Sequence, residues 1–388
     1  MQNVDVPQIL QIMVKNNAAD VFFYTGARIS MKTANGFAQM GEALQPGVTD
    51  KIVRELLSDD KTKEFEATGE TDFSLSFRGI GRFRGNAFRQ RGEASLVLRR
   101  INTDVPSIDQ LKMPPVLKNL VMERNGLVLI VGATGSGKST TLAAMIDHRN
   151  SNAGGHILTL EDPIEFVHSH KKSIVAQREI GTDTNSFSTG MKAAMRESPD
   201  VILMGEIRDL DSMEYALKFA NTGHLALSTL HANNCISTME RVMGFFPRDA
   251  RDAQAKRISQ NLRAIVCQRL APALDGGKVA VVEVLINTGY ISDMIAKQEL
   301  EGLKDAIERG GNYGMQSFDQ HLVALYHDGK IAEEVAFEYA DSVSNVKVKI
   351  RTSNAGKRVG SLNDSGLSLS LIKEEEEEDE KPGTMIGM

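Results

Sequence analysis

The sequence predicts an α/β fold: a mostly parallel sheet covered on both faces, preceded by a smaller α+β unit and followed by a helical cap. Three observations carry this. The 388 residues favour two or three domains at roughly 150 residues each. From Gly126 the chain alternates short, nearly continuous apolar runs with helical stretches, a pattern of strands buried on both sides. One such run leads directly into Gly132-Ala-Thr-Gly-Ser-Gly137-Lys138-Ser139 and then a helical stretch, Thr140 to Ile146, the strand–loop–helix setting of a phosphate-binding loop.

The elements follow in order. Pro7 to Lys15 carries Ile9, Leu10, Ile12, Met13 and Val14 and reads as a first helix, and Asp20 to Tyr24 as a short strand. Asp50 to Ser58, behind a Thr49/Asp50 cap signal, places Ile52, Val53, Leu56 and Leu57 at helical spacing. Phe73, Leu75 and Phe77 alternate with polar residues, a half-buried strand. Gly81 to Arg84 and Leu96 to Arg100 read as two strands around a turn near Arg91-Gly92. If that turn supplies the two central residues, Arg84 faces Arg99. Like charges opposed across a ladder are destabilising, so the pair is expected to receive an anion, naturally a γ-phosphate presented by the second domain. Residues 1–101 form the N-terminal domain on this reading, and 102–115, with three prolines, the linker. Residues 116–289 form the core, with strands at Leu127–Val131, His156–Leu160, Val201–Met204, Leu225–Leu230 and Lys278–Leu285. Residues 290–345 form the helical cap, and 346–388 a polar, then acidic, disordered tail.

Charge and composition exclude several classes. There are 45 basic and 51 acidic side chains, for a net charge of -6. The acidic run Glu374 to Glu380 lies inside a C-terminal segment that accounts for most of that charge, leaving a near-neutral body not built to coat nucleic acid or an anionic membrane. Apolar residues at 41% suffice for a core, yet no apolar run approaches the ~20 residues that span a bilayer. Gln2 to Asp5 lack the pattern of a signal peptide. Cys235 and Cys267 have no metal-site spacing and need no disulfide, as expected in a reducing compartment.

The chemistry concentrates after the first core strand. Gly132, Ala133, Thr134, Gly135, Ser136, Gly137, Lys138, Ser139 and Thr140 are the expected nucleotide-binding residues. The glycines let backbone N–H groups turn towards phosphate oxygens, Lys138 reaches the β- and γ-phosphates, and the Ser139 hydroxyl ligates Mg²⁺. Acidic groups are needed at neighbouring strand ends. Glu206 closes the run Val201 to Met204 and would hold the Mg²⁺ shell. Glu161, Asp162 and Glu165 follow His156–Leu160, and Glu165, beyond the strand end, is placed to orient the attacking water. Thr229 and His231 end a further strand, where a polar group would sense the γ-phosphate. Competing readings are a nucleic-acid translocase that uses the arginines between Arg82 and Arg100, and a nucleotide-binding scaffold with little turnover.

Gly132 to Ser139, Glu161 to Glu165, Gly205-Glu206-Ile-Arg-Asp209 and Thr222 to His231 together resemble the secretion-ATPase superfamily of type II and type IV systems. Within it, Gly81-Arg-Phe-Arg84 and Gly314-Met-Gln-Ser-Phe-Asp319 are similar to the PilT-type motors that retract type IV pili. Leu230 to Asn234, Phe245-Phe-Pro247 and Asn261 to Val266 lean towards the accessory PilU-type ATPases. The resemblance implies a RecA-like P-loop motor domain, a PAS-like N-terminal domain and a homo-hexameric Mg²⁺-dependent ATPase that powers pilus retraction, or twitching motility. It also implies a cytoplasmic place at the inner-membrane face of the pilus machine, reached only through two partners, a PilT retraction ATPase and an inner-membrane platform protein. No nucleic acid is expected. By matched position Glu165 is the catalytic carboxylate, Glu206 the Walker B residue, and Arg84 and Arg99 phosphate-contacting arginines; Arg196 and Arg208 are further candidates. Tyr290 to Lys297 departs from the Ala-Ile-Arg-Asn-Leu-Ile-Arg-Glu box of PilT-type motors, and Lys192 stands where relatives often have arginine.

Overall fold

A computed structural model of the chain describes residues 2–33 and 36–352. The first sheet has six strands: β1 Asp20–Phe23, β2 Arg28–Thr33, β3 Gly36–Ala43, β4 Glu70–Phe77, β5 Gly81–Gln90 and β6 Glu93–Arg100. Their order is β3-β2-β1-β6-β5-β4, antiparallel throughout. Helices Val6–Lys15, Val48–Leu56 and Asp59–Thr68 bury Leu10, Met13, Val53 and Phe65 against Phe23, Phe83 and Leu96. The first helix starts where Asp5 accepts a hydrogen bond from Gln8 N at 3.0 Å. The second starts at Val48, behind Gly47 at φ 80°, and not at the expected Thr49/Asp50 cap. Both of those side chains are committed elsewhere, Thr49 Oγ1 to Thr25 Oγ1 at 2.8 Å and Asp50 to Ala94 N at 3.2 Å. The β5–β6 hairpin turns through Arg91 and Gly92, at φ 54° and 85°, a left-handed pair matching strand twist. That turn sets the register, and Arg84 pairs with Arg99 as the sequence predicts.

The second sheet has seven strands: β7 Gly126–Val131, β8 Gly155–Glu161, β9 Ser173–Glu179, β10 Val201–Met204, β11 Leu225–Leu230, β12 Leu262–Pro272 and β13 Lys278–Ile286. They run in the order β13-β12-β7-β11-β10-β8-β9. All neighbours are parallel except β13, which is antiparallel to β12. Apolar side chains pack on both faces. Helix Lys138–Asn152 seats Met145 and Ile146 on one, and helix Leu210–Asn221 seats Met213 and Leu217 on the other.

Three expectations need correction. The strands β9 and β12 were not anticipated: β9 is an edge strand of mixed polarity, and β12 follows helix Arg251–Asn261 with no turn residue between. The run at Lys278 is not parallel, because the tight connection through Asp275 and Gly276 returns it as a hairpin. The tail does not begin at 346. Behind the helices Gly289–Lys297, Leu303–Arg309, Phe318–His327 and Glu333–Glu338, residues 343–352 are helical too, with Val346 and Ile350 in the core at 0% and 1% exposure. One turn apart, the two form an apolar stripe that average polarity conceals. The remainder of that expectation, residues 353–388, lies outside the described residues.

The linker is packed. Ile108 and Met113 are buried against the second sheet, and Val167 N donates to Asn102 O at 3.0 Å, forming a bridge between Asn102 and Phe166. Among the described residues, no helix is long and apolar enough to cross a membrane.

Candidate active site

A cleft of about 860 Å³ opens at the carboxyl ends of β7, β8, β10 and β11. The chain passes from β7 to β8 across two intervening strands, which leaves a crevice above the sheet where ligands of open α/β folds bind. The loop from Gly132 to Gly137 forms its floor. Gly137, at φ 89°, begins helix Lys138–Asn152, and Gly135 sits at 79°. A Cβ on Gly132 would lie 2.4 Å from Gln268 O and 2.5 Å from Ser136 Oγ, so only glycine fits there. Lys138 Nζ donates to Gly132 O at 2.9 Å and Ala133 O at 3.0 Å. Burial lowers the lysine's pKa, against the opposing pull of Glu206 and Glu165. Ser136 Oγ is buried with no hydrogen-bond partner among the described residues. A phosphate fits this cradle: left-handed glycines, a helix N-terminus, a lysine and an unspent hydroxyl. Thr134, Ser139 and Thr140 also line the cleft.

The predicted carboxylates meet there. Glu206 is held from two sides, by Arg208 Nε at 2.7 Å and His231 Nε2 at 3.2 Å. The Glu206 carboxylate holds the Arg208 guanidinium above its usual pKa, and Arg208 also faces Asp162 at 3.6 Å. Glu161 also borders the cleft, half-buried, but its Oε1 is committed to Thr159 Oγ1 at 2.6 Å and Gln177 Nε2 at 3.2 Å, while desolvation raises its pKa. Glu165, beyond the cis Asp162–Pro163 peptide, is exposed on the cleft wall. The hydroxyl of Ser139 and the carboxylate of Glu206 share the cleft and are the hard oxygen donors that suit Mg²⁺. Thr229 Oγ1 donates to Gly205 O at 2.7 Å, which fixes the turn before Glu206.

The arginine pair stands apart. Within this chain neither Arg84 nor Arg99 lines the cleft. Arg99 Nε donates to Asp20 Oδ1 at 2.7 Å, and Arg84 faces Asp72 at 3.8 Å. In register, Asp20, Arg99 and Arg84 form one row across β1, β6 and β5. The opposed charges are thus balanced by a carboxylate from a third strand, without the need for an external anion inferred from the sequence. Lys192 and Arg196 are exposed outside the cleft.

Sequence reasoning missed two features. Gln268 on β12 is buried, donates to Ser136 O at 2.5 Å and accepts from Thr141 Oγ1 at 2.9 Å, bracing the phosphate loop against the next strand. It is 132 residues from Ser136, so no local motif reveals it. Cys235, Cys267 and Glu283, dispersed in sequence, converge in the core with ligand atoms within 4.8 Å of one another. There Glu283 accepts from Cys235 N at 2.7 Å, and burial raises the Cys235 thiol.

Comparison with known proteins agrees with the fold. The family model described as "Type II/IV secretion system protein" matches residues 4–317. The chain is 43% identical to the type IV pilus ATPase PilU of Pseudomonas aeruginosa, over 96% of this chain and 98% of that protein. It is 38% identical to the PilT retraction ATPase of the same organism, over 88% and 100%. Among solved structures, the pilus retraction motor PilT with bound ADP superposes with a TM-score of 0.82 at 37% identity, covering 88% of this chain and 99% of that one. The Legionella pneumophila ATPase DotB gives 0.75 at 27% identity, covering 85% and 93%.

Proposed function

The chain belongs to the Type II/IV secretion system protein family, and from that premise we propose that it is an ATP-hydrolysing motor associated with type IV pilus retraction. One observation carries the catalytic part of this reading: Lys138, Glu206 and Glu165 converge in one cleft from three separate strand ends. ATP would lie with its phosphates in the Gly132–Gly137 cradle. Mg²⁺, when bound through Ser139 and Glu206, would neutralise phosphate charge. Lys138 would trade its two carbonyl partners for phosphate oxygens. Glu165, exposed and outside the Arg208–Glu206–His231 set, would accept the proton of the attacking water. His231 and Arg208 would orient Glu206.

The finer assignments rest on the resemblance. The motor would be a RecA-like domain with a PAS-like N-terminal domain, assembled as a hexamer at the cytoplasmic side of the inner membrane. It would act as an accessory to a PilT-type ATPase on a membrane platform protein. Arg84 and Arg99 would reach a neighbouring subunit's phosphates after giving up Asp72 and Asp20. The departure at Tyr290 to Lys297 supports the accessory role. Retraction measured in strains that carry wild type or Lys138→Ala, each with and without a PilT-type motor, tests this. The expected result is loss of assisted retraction with Lys138→Ala and none by this chain alone. Retraction powered by this chain alone would refute the accessory role.

A further inference from the structure

Glu179, the last residue of β9, is 5% exposed and belongs to neither the cradle nor the carboxylate set. Its oxygens take four hydrogen bonds from two directions. From the first sheet come Ser74 Oγ on β4 and Arg82 Nη2 on β5, the latter at 3.1 Å. From the second come Thr182 Oγ1 at 3.3 Å and the backbone N–H of Ile164 at 3.2 Å. Among the described residues, both side-chain hydrogen bonds that join residues 2–101 to residues 116–352 end on this one carboxylate.

Ile164 is the residue before Glu165. On the other side of Glu165, Phe166 bridges Asn102 of the linker and Val167 N donates to Asn102 O. The proposed catalytic carboxylate therefore hangs on a short loop fixed at both ends by contacts that involve the N-terminal unit or its linker. A buried carboxylate that loses two of its donors is itself left under-satisfied, so displacement of Arg82 and Ser74 drives Glu179 to re-orient towards other donors or water and thereby perturbs the Ile164 bond.

We propose that Glu179 is a positioning residue that couples the seating of the N-terminal unit to the placement of Glu165. The inference deepens the motor reading and rests on it. Glu179 touches no phosphate and acts through the 161–167 loop. Hydrolysis would be supported when β4 and β5 are docked and would slow when they swing away, at little cost to nucleotide binding in the Gly132–Gly137 cradle.

The test uses the full chain, with steady-state ATP turnover and equilibrium binding of a fluorescent, non-hydrolysable ATP analogue. For Glu179→Gln we expect kcat to fall tenfold or more, with KM and analogue affinity within about twofold of wild type. Arg82→Ala should give a similar loss and Ser74→Ala a smaller one. The Glu179→Gln, Arg82→Ala double variant should be no slower than the slower single one, since both break the same link. Deuterium exchange at 161–167 should quicken in all three single variants. Should Glu179→Gln fail to fold, Arg82→Ala and Ser74→Ala read the same link from the other unit. Unchanged kcat, losses that multiply in the double variant, or a fall carried by KM alone would overturn the proposal. Wild-type chain without turnover would instead refute the motor reading.

Discussion

At Glu206 one carboxylate meets two side chains that alone say little: Arg208 two residues on, and His231 from the next strand. The sequence marks Glu206 and His231 as strand-end polar groups, and the fold makes them a bonded pair because β10 and β11 are parallel neighbours. Lys138→Ala should lower ATP turnover about a hundredfold or more, the scale of removing one preorganised charge partner from a transition state, read in a phosphate-release assay. Glu165→Gln should abolish turnover yet keep ATP-analogue binding near wild type; undiminished turnover would sink its assignment as the base. Gln268→Leu strips the cradle of two buried hydrogen bonds and should cost ~1–3 kcal/mol of stability, seen as a lower Tm with a raised KM for ATP. The Arg84–Arg99 pairing was legible because a two-residue turn fixes register. What neutralises it was not, since Asp20 lies 79 residues from Arg99.

Helices and strands were readable where one period dominated. The fully buried, largely apolar β7, β10 and β11 announce themselves, whereas β9 at the sheet edge and the capped-over β12 do not. Helix Phe318–His327 shows how a single ring secures an element. His321 Nδ1 accepts from Val282 N on β13 at 2.9 Å, and burial holds its pKa down at about 4. The unfolded chain protonates that ring near pH 6.5, so the stabilisation is whole above that value and is lost as pH falls towards 4. Thermal melts between pH 7.5 and 4.5 should show Tm dropping across that window, with a shallower slope in His321→Gln. The helix at 343–352 makes a second case. Truncation after residue 342 removes Val346 and Ile350 from the core and should cost several kcal/mol, whereas truncation after 352 leaves them in place. Comparing the urea midpoints of the two shortened chains settles it.

At the scale of the whole molecule, each sheet has its own apolar core, and among the described residues the two sheets share no strand pair. Native-state hydrogen exchange should therefore find the central β7 and β11 the last amides to open and the 161–167 loop among the earlier ones. This arrangement was beyond sequence reasoning, which located the linker by its prolines but had no means of seeing that Asn102 clasps Phe166. That clasp has a mechanical meaning. If the proposed motor hauls a filament it meets resistance, and resistance bears on whichever joint between rigid bodies is softest. Here the soft joint is a few polar contacts, with a sheet on either side, and the loop that bears Glu165 is threaded through it. Tension strong enough to pry the bodies apart would unseat Glu165, the proposed catalytic carboxylate, long before it unravelled either core. Such an engine stalls by idling: under overload it would stop spending fuel, keep its nucleotide, and resume when the tension relaxes.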